Sequence, residues 1–216
     1  MTEGPNPAPD ADVAALDVML PFVPVHGWTR HALAAGLGAV GRDPAEAAFL
    51  FPGGTTEMLE SFFAVTLARA VQTAAPQVAS EMRLSKRVRA VLAAFLAALD
   101  PHKEAARRAF ALLLLPHHAR LATRILSRLA DGIWEAAGDQ SEDASWYTKR
   151  ASLGAILMPT LLYWLNDIEA DQAGSLAFFD RRLAGLGRFG RMRARLRGTC
   201  GGLMGRRMRR TDRPAA

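Results

Sequence analysis

The chain has 216 residues, half of them hydrophobic, with a formal net charge of +6 and one cysteine. The length suits one domain, or a small unit fused to a larger one, and the lone Cys200 excludes an intrachain disulfide. The positive charge is local and does not describe the whole protein: twelve arginines fall between Arg181 and Arg213, and the body before them is acidic to neutral.

Residues Thr2 to Asp12 are Pro-rich and acidic. They lack the positive start and apolar run of a signal peptide, and residues 1–12 are expected to be disordered. From there on the periodicity is helical, with no useful alternation of period two, so an all-α fold is expected. Val13 to Leu20 is a short apolar helix, and Trp28 to Val40 follows with Thr29 near its start. Pro44 to Phe51 is a third short helix, with Asp43 as its cap and Pro44 at the first position. Pro52-Gly53-Gly54 breaks the chain. Thr56 to Ala74 is longer and carries Leu59, Phe62, Phe63 and Leu67. Arg83 to Leu99, Lys103 to Leu115 and His117 to Ala137 come next, separated by Asp100-Pro101 and Pro116. A helix from about Asp143 to Asn166 precedes a last one that starts near Ser175 and becomes basic. The most apolar segment, Ala151 to Leu165, is shorter than the roughly 20 residues of a spanning helix and contains Pro159. A soluble or peripheral protein is expected.

The catalytic signals are weak. Gly36-Leu-Gly-Ala-Val-Gly41 and Gly185-Leu-Gly-Arg-Phe-Gly190 match GxGxxG, but neither follows a strand, as a dinucleotide fingerprint requires. Gly41 reads instead as a helix stop. None of the five histidines lies three residues after a glutamate, and no HExxH occurs. His117 and His118 are adjacent, so they point apart on a helix and are expected to cap it after Pro116. Asp167, Glu169 and Asp171 form an acidic run that reads as a loop at a helix end. With no nucleophile–base pair, metal cluster or cofactor motif, neither catalytic residues nor metal ligands are assigned.

Binding signals are stronger. Gly138 to Leu153 combines an acidic helix start at Glu142 and Asp143 with Trp146, Tyr147 and, one turn on, Arg150. Aromatics beside an arginine fit an anchor for another protein as well as a capped core helix. The helix continues with Leu153, Ile156, Leu157, Met158, Leu161, Leu162, Tyr163, Trp164 and Leu165, apolar on all sides. Such a helix needs cover on every side, from a partner subunit, a lipid or both. Pro159 is expected to kink it and Met158 to adapt to an irregular guest. In the basic segment, Phe189, Met192, Leu196, Cys200 and Leu203 recur at helical spacing, opposite Arg188, Arg191 and Arg195. That pattern suits an anionic membrane surface.

The block from Gly138 to Arg150 resembles the COQ9 family of ubiquinone-biosynthesis accessory proteins. Pro21-Phe-Val-Pro-Val-His-Gly-Trp-Thr29, Leu112-Leu-Leu-Leu-Pro116 and Asp131-Gly-Ile-Trp134 agree in order. The likeness runs from about Val13 to Arg182. It implies a fold similar to TetR-type regulators, whose plan of three short helices and then longer ones this chain follows. Residues 13–182 would form that domain, 13–54 its helix-turn-helix-like part, 55–182 its lipid-binding and dimerisation part, and 183–216 a basic amphipathic segment. The third helix, Pro44-Ala-Glu-Ala-Ala-Phe-Leu-Phe51, offers no Arg, Lys, Asn or Gln to base edges, so no specific nucleic acid is expected.

The resemblance further implies a non-catalytic protein without cofactor that encloses an isoprenoid quinone precursor, or another lipid. Leu112, Leu115, Ile133, Leu157, Met158, Leu161 and Leu162 are assigned to the lipid. It implies that Trp146, Tyr147 and Arg150 dock the demethoxyubiquinone hydroxylase. Phe189, Met192, Leu196, Arg188, Arg191 and Arg195 are assigned to the membrane, and a homodimer is expected. The place implied is the inner membrane's surface, on the cytoplasmic side in a bacterium or the matrix side in a mitochondrion. The rival readings are a TetR-like regulator and an enzyme, for instance a deaminase, acting on a quinone precursor.

Overall fold

The computed structural model of the chain describes residues 10–78, 83–139 and 144–185, with the side chains of residues 10, 11, 144–149 and 170 outside that description. It is all-α, and no strand occurs among the described residues. The helices are α1 Asp10–Met19, α2 Val23–His26, α3 Arg30–Ala39, α4 Ala47–Leu50, α5 Thr55–Ala74, α6 Leu84–Leu99, α7 Lys103–Leu113, α8 Ala119–Ala136, α9 Ala144–Trp164 and α10 over residues 173–185.

Local chemistry sets most of these bounds. Thr29 caps α3 by accepting from the Ala32 N–H at 3.3 Å. Gly41, at φ +77°, ends it: its own N–H reaches Gly38 O and the Arg42 N–H reaches Leu37 O at 3.0 Å. Those two bonds satisfy carbonyls that the helix leaves free, and only glycine adopts that backbone cheaply. Gly138, at φ +73°, ends α8 in the same way, with the Asp139 N–H on Trp134 O at 3.1 Å.

The expected helix from Pro44 to Phe51 is shorter and split. Asp43 accepts from the Ala45 N–H at 2.9 Å, which tightens Pro44–Glu46 into a 3₁₀ turn, and only one α-turn follows before Phe51 leaves helical geometry. The helix from Lys103 stops at Leu113 rather than Leu115, because Leu115 precedes Pro116 and takes extended backbone. The expected helix from His117 begins at Ala119, after a 3₁₀ turn over Pro116–His118. The single turn of α2 was not expected; it lies between Pro21 and Gly27, at φ +68°.

One aromatic chain passes from the short helices into the long ones. Trp28 lies 4.9 Å from Phe62, Phe62 5.2 Å from Phe63, and Phe63 5.5 Å from Phe110, centroid to centroid. All four rings are buried, and each such pair adds about 0.5–1.5 kcal/mol to the burial itself. The Trp28 indole N–H donates to Ala105 O at 3.0 Å, tying the start of the chain to α7. The Thr55 hydroxyl donates to Trp28 O at 2.7 Å.

Candidate functional site

Of the assigned residues, Ile133 lies on α8 and Trp146, Tyr147, Arg150, Leu157, Met158, Leu161 and Leu162 on α9, two helices that pack along each other. Leu112 lies in the last turn of α7 and Leu115 in the turn after it. The buried face of α9 is a stripe: Leu153, Ile156, Leu157, Thr160, Leu161, Trp164 and Leu165. Covering that stripe takes only the protein's own core. The opposite face is apolar too, with Met158 and Leu162 half-buried and Ala151, Ala155 and Tyr163 exposed. The helix runs through Pro159, and the Thr160 hydroxyl donates to Ile156 O, one turn earlier, at 2.6 Å.

Of the residues assigned to a lipid, Ile133, Leu157 and Leu161 are fully buried, Leu112, Met158 and Leu162 half-buried, and Leu115 exposed. The set therefore spans interior and surface. A cleft of about 510 Å³ lies between α8 and α9. Its walls are Thr123, Leu126, Ser127, Asp131, Arg150, Ala151 and Gly154, none of them from that set.

Arg150 sits in the cleft with its side chain 15 % exposed, and its Nε meets the Asp131 carboxylate at 2.7 Å. An arginine so placed fixes α9 against α8 and presents little charge beyond the cleft. Trp146 and Tyr147 belong to α9, but their side chains lie outside the described residues. Phe189, Met192, Leu196, Arg188, Arg191 and Arg195 also lie outside them, as does the GxGxxG match beyond Gly185.

Two further features correct or extend the sequence reading. His118 does not cap the helix that follows. Its Nδ1 lies 3.0 Å from Leu112 O, closing the end of α7, while α8 starts with no side-chain cap. The acidic run contains a structural hub. Asp167 is buried and accepts from the Ser175 N–H at 2.6 Å, the Ser175 hydroxyl at 2.5 Å and the Glu169 N–H at 3.1 Å. Burial pushes this carboxyl up, but the bonds from Ser175 and Glu169, with Lys103 nearby, outweigh it and hold Asp167 below its ordinary value. The Lys103 ammonium donates to the Asp167 main-chain oxygen at 2.6 Å. Asp167 thus locks the start of α10 to α9 and α7. Its proximity in sequence to Glu169 and Asp171 signalled a loop; the partner at Ser175 was the missed element. Among the described residues no three metal-ligand-type side chains gather, and no helix is long and apolar enough to cross a membrane.

Comparison with known proteins gives two results. The family model COQ9 matches residues 119–190, which takes in α8, α9 and α10. "Ubiquinone biosynthesis protein COQ9, mitochondrial" from Bos taurus is 32% identical over 176 residues, 78% of this chain and 55% of that protein. The Homo sapiens protein of the same name is 33% identical over 175 residues, with the same coverage, and the Drosophila melanogaster one is 32% identical over 173. The chain spans about half the length of the curated relatives it matches. Among solved structures, a TetR transcriptional regulator from Nitrosomonas europaea superposes with a TM-score of 0.64 at 17% identity. That match covers 83% of this chain and 99% of the regulator. The fold is therefore TetR-like.

Proposed function

Over the stretch it shares with these relatives the chain belongs to the COQ9 family, and from that premise we propose that it is a non-catalytic, lipid-binding accessory protein of ubiquinone biosynthesis. It takes a hydrophobic quinone precursor from the bilayer and presents it to the demethoxyubiquinone hydroxylase. The observation that carries this reading is the match over 78% of the chain to proteins named for ubiquinone biosynthesis. An isoprenoid tail strongly resists water, at about 0.8 kcal/mol per buried methylene, so its transfer to an enzyme needs a sheltered route.

In this reading residues 13–54 are a scaffold, and residues 55–182 hold the lipid and the dimer contact. Leu112, Leu115, Ile133, Leu157, Met158, Leu161 and Leu162 shelter the tail, and the apolar outer face of α9 supports cover from outside, by lipid or by a second copy. Phe189, Met192 and Leu196, with Arg188, Arg191 and Arg195, meet the membrane. The relatives' names carry the word mitochondrial, which supports a place on the matrix side of the inner membrane in a eukaryote; a bacterial protein would sit on the cytoplasmic side.

A regulator reading has the fold behind it but little surface chemistry. α4 is one turn of Ala47, Ala48, Phe49 and Leu50, with Phe49 largely exposed, and Arg42 before it is paired with Glu46. Nothing on that turn reads base edges.

The hydroxylase contact has a direct test. Trp146→Lys is expected to weaken binding to the demethoxyubiquinone hydroxylase by about thirtyfold or more, a loss of about 2 kcal/mol. The unfolding transition should not move. Titration of the purified hydroxylase measures it, and wild-type affinity in the variant contradicts the assignment of Trp146, Tyr147 and Arg150 to that contact.

A further inference from the structure

The turn between α7 and α8 presents apolar side chains to water in a fixed way. The run Leu112 to Leu115 divides there: Leu113 is buried and Leu112 half-buried, but Leu114 is 57% exposed and Leu115 40%. The backbone around them is bonded at each step. The Leu114 N–H reaches Phe110 O at 3.0 Å, the Leu115 N–H reaches Leu112 O at 3.1 Å, and the His118 N–H reaches Leu115 O at 2.9 Å. The His118 ring closes the turn on Leu112 O. Two leucines are thus held outward by hydrogen bonds and by Pro116, whose φ is fixed by its ring.

The charge around the turn is one-sided. From Ala105 to Ala130 the sequence holds five arginines and two histidines and no Asp or Glu. Glu60 answers Arg124 and Arg128, at 2.7 and 3.0 Å, and Glu104 answers Arg107 and Arg108. Arg120, exposed on the first turn of α8, has no carboxylate within ion-pair distance among the described residues. The exposed leucines therefore sit beside an uncompensated cation and the exposed His117, at the positive end of a long helix with no side-chain cap.

We propose that this turn is a contact for an anionic lipid surface, with Leu114 and Leu115 entering the acyl boundary and Arg120 meeting headgroup phosphates. Aliphatic tips with a cationic rim complement such a surface, where each arginine contributes favourably and each leucine leaves water. A protein partner fits less well, because leucine is under-represented among the residues that dominate protein contacts. The proposal stands on the turn itself. It gives the exposed Leu115 to the bilayer in place of the cargo, and it does not depend on the basic C-terminal segment.

The test uses the full chain carrying Cys200→Ser and Leu114→Cys, labelled at the new thiol with an environment-sensitive fluorophore. It is mixed with vesicles of phosphatidylcholine alone or with added phosphatidylglycerol. The emission should shift to the blue only with the anionic vesicles, and brominated acyl chains should quench it. In unlabelled protein, Leu114→Ser with Leu115→Ser should weaken co-sedimentation with those vesicles by about tenfold, with helicity retained. Arg120→Glu should diminish the blue shift of the label at position 114 with anionic vesicles, even where the basic C-terminal segment still brings the chain to them. Unchanged emission while the protein co-sediments would place the contact elsewhere and overturn the proposal. A shift that appears without vesicles and grows with protein concentration would overturn it in favour of a second copy of the chain.

Discussion

Gly36→Ala is expected to lower the stability of this protein by about 3 kcal/mol. A methyl group at Gly36 would lie 2.3 Å from Val18 O and 2.7 Å from Val18 C, both main-chain atoms of α1. A side chain could rotate aside; a helix backbone cannot, so α1 and α3 must separate and loosen the core they share. Leu16, Met19, Leu33 and Leu37 are all buried there. The control is two residues away. A methyl group at Gly38 would meet only Pro44 Cγ, at 3.6 Å, an ordinary contact, and alanine is the better helix former by about 1 kcal/mol. Gly38→Ala should therefore be neutral or stabilising. Denaturant unfolding of the two variants separates these outcomes, and equal midpoints would contradict the account of the α1–α3 contact. The pair also explains the first GxGxxG match: Gly36 permits a close helix approach and Gly41 ends the helix, with no phosphate required.

The second large effect is at Asp167. Asp167→Ala removes the acceptor of the Ser175 N–H, the Ser175 hydroxyl and the Glu169 N–H at a buried junction. Leaving such donors unsatisfied costs about 3 kcal/mol in all. The start of α10 should loosen first, visible as faster amide exchange over residues 173–178. The pH dependence follows from the sign of the shift. The folded carboxyl ionises below its ordinary value, so between the two values the unfolded chain binds more protons. The stabilisation is complete above the unfolded pKa of about 3.9 and is lost as pH falls through the folded one. Asp167→Asn should flatten this acid limb, and an unchanged acid transition in that variant would contradict the role given to the carboxylate.

Much of the fold was legible because local chemistry wrote it. Thr29, Asp43, Gly41 and Pro116 each act within a few residues, and each sets a boundary where expected or one turn away. The helices expected from Thr56 to Ala74 and from Arg83 to Leu99, read from apolar spacing between breaks at Pro52-Gly53-Gly54 and Asp100-Pro101, form within one residue of those bounds. What escaped was long-range. The bond from Trp28 to Ala105 joins residues 77 apart, and the Glu60 bridges to Arg124 and Arg128 join α5 to α8. The three-residue tightening after Asp43 was missed because an Asx-type bond competes with the first α-turn. α9 was expected to need cover on all sides. The structure buries one stripe of it and leaves the other apolar, a distinction composition cannot make.

The candidate site was legible in part. Arg150 was singled out for its place beside Trp146 and Tyr147, but nothing in the sequence tied it to Asp131, nineteen residues earlier on a different helix. Leu112 and Leu115 were grouped by type, yet the turn at Pro116 sends one toward the core and the other outward. Asp167 was visible only as part of an acidic run.

The central claim is that this protein carries a quinone-type lipid. Mass spectrometry of an organic extract of the purified protein tests it most directly. The account predicts a polyprenyl quinone or its precursor in near-stoichiometric amount, reduced when Leu157 or Leu161 is replaced by a polar residue. An extract free of any such lipid, from folded protein purified without detergent, would contradict it.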